Sequence, residues 1–100
     1  MNTDKIVTYT EIDKRKELHS HRIVLTGGCF DLFHYGHWYF LHEAKKAGEI
    51  LAVALESDNF IINKKKKKPV HNQQQRALIL SSIDVVDLII MLPFFKTDEE

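Results

Sequence analysis

The sequence has a single cysteine, Cys29, and so cannot form an internal disulfide or a multi-cysteine zinc site. A lone thiol suits a reducing compartment, which makes the cytoplasm the expected location. Net charge is missing as well, because 14 Lys and Arg cancel 14 Asp and Glu. A chain with no dominant sign is marked neither as a nucleic-acid binder nor as a polyanion, and any electrostatic recognition has to be local. Long apolar runs are absent. Met1-Asn2-Thr3-Asp4-Lys5 also sets acid and base before any apolar stretch, so neither a membrane span nor a secretory leader is expected. No segment repeats, and the one low-complexity stretch is Lys64 to Lys68.

What is present fits one small domain, since 100 residues that are 44% hydrophobic can bury a core. Residues 1–21 are polar with scattered apolar positions and read as a leader packed on a domain of residues 22–100; Thr10 and Asp13 are spaced to cap a short helix there. Arg22 to Thr26 reads as a buried strand stopped by Gly27-Gly28. From Tyr35 to Ala47 the pattern is helical, with Phe40, Leu41, Ala44 and Ala47 as the inner face and Gly48 as the C-cap glycine. Ile50 to Leu55 is continuously apolar, as a strand covered on both faces of a parallel sheet would be. Glu56 to His71 contains five adjacent lysines and Pro69 and reads as a loop. Asn72 then opens a second helix with Gln75 in a capping box, and Leu78, Ile79 and Ile83 point inward. Val85 to Leu92 is a third strand closed by Pro93. This β-α-β-α-β order predicts an α/β, Rossmann-like parallel sheet of three strands with right-handed crossovers, half of a doubly wound fold.

In such sheets ligands bind beyond the carboxyl ends of the strands, here at Gly27-Gly28-Cys29-Phe30-Asp31. Two glycines permit close approach to the backbone, and the following helix offers unpaired amides and a dipole suited to an anion. His34 and His37 share a helical face with Leu41 and Ala44 and should look back over the strand ends, with Gly36 leaving room for a ligand. The alternative is two histidines satisfied by local backbone groups. A zinc site on His34, His37 and Asp31 lacks a second ligand cluster and an adjacent glutamate base. A nucleic-acid module resting on the lysine run lacks a basic face with aromatics.

The block Gly28-Cys29-Phe30-Asp31-Leu32-Phe33-His34-Tyr35-Gly36-His37 resembles the His-x-Gly-His signature of the cytidylyltransferase-like nucleotidyltransferases. The similarity covers most of residues 22–92, and the leader is similar to the short extension of heptose-phosphate nucleotidyltransferase domains. The resemblance implies transfer of a nucleoside monophosphate from CTP or ATP to a phosphorylated small molecule, with pyrophosphate released and no protein nucleophile. It assigns His34 and His37 to the triphosphate, together with Lys64 or Lys66 from the lysine run and Arg76 at the start of the second helix. Gly27, Gly28, Cys29, Phe30, Asp31 and Gly36 would surround the nucleotide. Asp31 more plausibly caps the next turn, and Cys29 is most simply a small buried residue. Mg2+ is expected to arrive with the triphosphate, held by phosphates and water. A sugar phosphate is the favoured acceptor. The family's later strands and its serine- and threonine-rich motif are not found in these residues. The rival expectation is therefore a fragment that binds nucleotide or dimerises without turnover, its first strand left with an open edge and a homodimer the expected assembly.

Overall fold

The computed structural model describes residues 3–95. Four strands form one all-parallel sheet in the order β1-β4-β3-β2, where β1 is Ile6–Thr8, β2 is Ile23–Gly28, β3 is Ile50–Leu55 and β4 is Leu88–Met91. Helix α1 (Tyr35–Lys45) links β2 to β3, while α2 (Asp58–Lys65) and α3 (Gln73–Ser81) link β3 to β4. The α/β, Rossmann-like reading therefore holds, with one strand more than expected.

The extra strand comes from the leader. Ile6, Val7 and Thr8 pair with Ile89, Ile90 and Met91. Their β-branched side chains suit a pleated surface, and Val7 is buried with Ile50, Ala52, Leu88 and Ile90 on one sheet face. Thr8 then caps a 3-10 turn over Tyr9–Lys14, its box closed by Glu11, so the cap falls two residues before Thr10.

At the sheet centre β3 is buried on both faces, as its unbroken apolar run requires. β2 behaves differently, because it is an edge strand paired only with β3. Val24 and Thr26 are half-buried, but Ile23 and Leu25 point outward and Leu25 is 64% exposed. A strand expected to be buried is thus covered on one face, and the open edge anticipated for it is present. β4 is shorter than the run 85–92. Val86 donates to Ile83 in a turn and is buried in the core, and the Asp87 carboxylate accepts from Leu51 N (2.7 Å) and from Lys45 Nζ (2.5 Å) before the strand begins.

The second core layer gathers Leu41 of α1, Ala77 and Leu80 of α3, and Leu51, Val53, Leu55 and Ile89 of the sheet. α1 rests on this layer along a narrow row. Leu41 is fully buried and Ala44 half-buried, while Phe40 (48% exposed) and Ala47 face solvent, which corrects the inner face assigned to them. Gly48 is not in a left-handed conformation; a Cβ there would meet Val24 Cγ2 at 2.8 Å and Arg22 O at 3.0 Å, so close packing of the turn on β2 excludes a side chain. α3 starts at the Asn72–Gln75 capping box, as expected, and Gln73 Nε2 donates to both Leu55 O and Leu92 O at 2.9 Å, joining the ends of β3 and β4.

The segment 56–71 is not simply a loop. Ser57 Oγ accepts from Phe60 N at 3.1 Å and starts α2, whose Ile61 is fully buried; the helix runs into the first two lysines and ends at Lys66, which is left-handed with φ 56°. One buried apolar anchor and one cap are enough to hold this short helix against the repulsion of neighbouring lysines.

The pairing of β1 makes the leader part of the sheet. Val7→Ala is expected to lower the unfolding free energy by about 2 kcal/mol, read by urea denaturation. An unchanged midpoint would mean that the leader only lies on the surface.

Candidate functional site

The carboxyl ends of β2 and β3 open into a cleft of about 450 Å³, lined by Gly27 to Asp31, His37, Glu56, Phe60, Ile61, Lys65 and Lys67. Most of the expected segment is here. Gly27 is exposed in the cleft, and an added Cβ would meet nothing nearer than Ala54 O at 3.7 Å, so internal packing does not explain the glycine. Gly28 is different, because a Cβ would lie 2.9 Å from the Phe30 ring. Phe30 and Leu32 have positive φ (49° and 56°), a left-handed conformation that costs a non-glycine residue on the order of 1 kcal/mol. The loop carrying Asp31 is therefore held in shape from outside.

Asp31 supplies part of that hold. Its carboxylate accepts from Val70 N (2.8 Å) and His71 N (3.0 Å), across the chain and not within its own turn. Burial opposes its ionisation, but those two hydrogen bonds and the nearby Arg76 and His71 outweigh it and keep Asp31 below the ordinary carboxylate value.

Arg76 supplies the rest. Its guanidinium is 0% exposed and donates to His71 O (3.0 Å), Cys29 O (2.8 Å), Glu56 O (2.9 Å) and Asp58 Oδ1 (2.7 Å). Arg76 was expected to contact phosphate; here its donors are taken by carbonyls at the ends of β2 and β3 and at the entry to α3, and by one carboxylate. The positive charge in the first turn of α3 is explained by these internal partners.

His34 and His37 form one stacked unit, ring centroids 3.9 Å apart and planes 26° apart. His34 is the N-cap of α1: its Nδ1 accepts from Gly36 N at 3.0 Å, while His34 N donates to His37 Nδ1 at 3.2 Å. Two imidazoles thus make a capping box. Gly36 is required by this arrangement and not by ligand room alone, since a Cβ would sit 2.8 Å from the His34 ring. His37 faces the cleft, packed by Phe30 (5.2 Å) and Phe33 (5.4 Å), and burial together with neighbouring His34 pushes its pKa down. His34 lines a separate apolar hollow with Phe33, Tyr35 and Trp38. The Nε2 of each ring has no partner among the described residues.

From the lysine run the structure brings Lys65 and Lys67 to the cleft, not Lys64 or Lys66. The α-helical start of the run sets this phase, which a loop reading cannot supply. Cys29 lines the cleft half-buried, and burial raises its thiol pKa above the ordinary value despite Lys65 and Arg76. Glu56, Phe60 and Ile61 were not anticipated; a cap at Ser57 followed by Ile61 was the available signal for the helix that delivers them.

An all-parallel α/β sheet thus brings a glycine-bearing strand end, a histidine pair and two lysines together at one end. The family model described as cytidylyltransferase-like matches residues 25–100, and the chain belongs to that family. It is 41% identical over 88 residues to the bifunctional protein HldE of Helicobacter pylori (strain HPAG1), covering 87% of this chain and 19% of that protein. It is 39% identical over 90 residues to the bifunctional protein HldE of Aliarcobacter butzleri (strain RM4018), covering 86% and 19%. The chain thus spans about a fifth of the length of these curated relatives. The crystal structure of the lipopolysaccharide core biosynthesis protein from Thermoplasma volcanium GSS1 superposes with a TM-score of 0.68 at 31% identity, over 74% of this chain and 60% of that one. No helix among the described residues is long and apolar enough to cross a membrane.

Two outcomes follow from these geometries. Arg76→Met leaves the strand-end carbonyls unpaired and is expected to cost about 3–5 kcal/mol in chemical denaturation, with Arg76→Lys restoring only part. Because Asp31 is held below its unfolded value, its contribution is full above about pH 4 and is lost as pH falls through the folded value. Asp31→Asn should flatten that acid limb; an identical limb would show that the Val70 and His71 bonds do not tie the loop.

Proposed function

We propose that this chain forms the nucleotide-binding part of a nucleotidyltransferase that joins a nucleoside monophosphate from CTP or ATP to a phosphorylated small molecule and releases pyrophosphate. The observation that carries it is the convergence of the Gly27 to Asp31 backbone, His37, Lys65 and Lys67 in one cleft at the ends of β2 and β3. In this reading an acceptor phosphate oxygen attacks the α-phosphorus, the bond to the bridging oxygen of the β-phosphate breaks, and that oxygen leaves with pyrophosphate. Such a displacement needs alignment and donors for the charge growing on phosphate oxygens, not a protein nucleophile. His37, backed by His34, and the two lysines have that chemistry. Lys65 and Lys67 take the place held in expectation by Lys64 and Lys66.

Magnesium fits as part of the substrate. Among the described residues no three His, Cys, Asp or Glu side chains gather to hold a metal, and Asp31 is engaged by backbone amides. Phosphates and water would be its ligands. A sugar phosphate is the favoured acceptor, supported by the relative described as a lipopolysaccharide core biosynthesis protein, since that core is built from sugars. A second copy of the chain remains the proposed partner, supported by the open edge of β2 and its exposed Leu25. Sedimentation showing only monomer at high concentration removes that partner.

The test is a thermal-shift titration of the chain with CTP, ATP, GTP and UTP, each with Mg2+. A nucleotide at a hundred times its dissociation constant adds about 2.7 kcal/mol. The expected result is a shift with CTP or ATP that His37→Ala abolishes. Lys65→Ala or Lys67→Ala should weaken binding about tenfold, or about 1.4 kcal/mol, and Lys64→Ala much less. No shift with any nucleotide would overturn the reading for this chain.

A further inference from the structure

The capping box at the start of α1 fixes where protons sit on its histidines. A backbone N–H can only donate, so a ring nitrogen that receives one must carry a lone pair. Gly36 N donates to His34 Nδ1 at 3.0 Å, and His34 N donates to His37 Nδ1 at 3.2 Å. Further along the same helix the rule is reversed: His42 Nδ1 lies 2.8 Å from Trp38 O, a group that can only accept, so there the proton is on Nδ1.

We propose that His34 and His37 work as a pair of neutral imidazoles, each locked with its proton on Nε2 by a backbone amide. The helix start and the donor geometry of the site then share one protonation state. Protonating either Nδ1 removes the acceptor that closes its half of the box, and protonating both sets two positive rings 3.9 Å apart. With both rings neutral, each presents one fixed Nε2–H and cannot rotate without losing its cap. Fixed donors are what a phosphate site needs; that consequence, unlike the tautomers themselves, rests on the nucleotide reading above.

The surroundings of His37 do not favour a second proton on its ring. Phe30 and Phe33 pack on His37, and His34 sits among Phe33, Tyr35 and Trp38. Of the charged groups sharing the cleft with His37, Lys65 and Lys67 are cations, Glu56 is an anion at the end of β3, and Asp31 is engaged by the amides of Val70 and His71. Burial, then His34, lower the His37 pKa, in line with this geometry. The sign follows. Stability from the His37 acceptor is full above the unfolded histidine value, about 6.5, and declines as pH falls below it toward the lowered folded value.

The experiment is a long-range proton–nitrogen correlation spectrum of the 15N-labelled chain without nucleotide, followed from neutral to mildly acidic pH. Near neutral pH we expect unprotonated Nδ1 with protonated Nε2 for His34 and His37, and a protonated Nδ1 for His42. On acidification, protonation of either ring of the pair should coincide with loss of hydrogen-exchange protection at the Gly36 and His34 amides. In His37→Gln, whose amide oxygen accepts from His34 N at any of these pH values, the His34 amide should stay protected. An Nδ1-protonated or freely exchanging tautomer for either ring overturns the proposal. So does imidazolium formation with both amides still protected. Because no nucleotide is present, the result is independent of whether the chain binds one.

Discussion

The cleft depends on one buried cation. Arg76 reaches the ends of β2 and β3 through Cys29 O and Glu56 O, the entry to α3 through His71 O, and the first turn of α2 through Asp58. A guanidinium removed from water is tolerated only when its donors are satisfied in good geometry, and here one planar fork satisfies four acceptors on four segments. Three of those segments, the ends of β2 and β3 and helix α2, line the cleft. Their relative positions are therefore set by the fixed shape of a single side chain, which explains why an arginine stands where the dipole of α3 disfavours it.

Around that anchor the loop from Phe30 to His34 is bent against its local preference. Two non-glycine residues with positive φ flank Asp31, whose carboxylate grips the Val70 and His71 amides while His71 O accepts from Arg76. The loop and the α3 entry are thus fastened twice, by opposite charges acting on neighbouring peptide groups. Strain of this kind persists only where surrounding contacts over-determine it, and it is common at sites that must hold a ligand. Here it lies within the cleft.

How legible this was depended on how local the cause is. β3 was readable to the residue because a strand covered on both faces leaves an uninterrupted apolar run, Ile50 to Leu55. The Asn72–Gln75 box was readable because both partners lie within one turn. Arg76 was visible as an oddity, but its partners lie up to 47 residues away, so a ligand was credited with what the fold itself provides. The leader strand was missed because three residues carry little periodicity, and its stability comes from pairing with β4. Phe40 and Ala47 were placed inward because helical spacing cannot tell how wide a strip the sheet covers, and this sheet covers little more than the Leu41 and Ala44 row. The phase of the lysine run was hidden by composition, since five identical residues hold no pattern; only the cap at Ser57 and the burial of Ile61 set it.

These causes bear on the electrostatics of the site. The cation with the strongest hydrogen-bonding fork is consumed internally, and the imidazoles spend one nitrogen each on the backbone of α1. What the cleft would offer an anion is then a set of directed donors with two exposed lysine charges, opposed by Glu56. A site made this way selects by geometry more than by total charge, which agrees with a chain whose formal charges cancel. Directed neutral donors lose little strength to salt, whereas the exposed lysines are screened within about 10 Å at 0.1 M ionic strength. In the proposed reading, orientation falls to the strand ends and histidines, and capture to the exposed lysines at the end of α2.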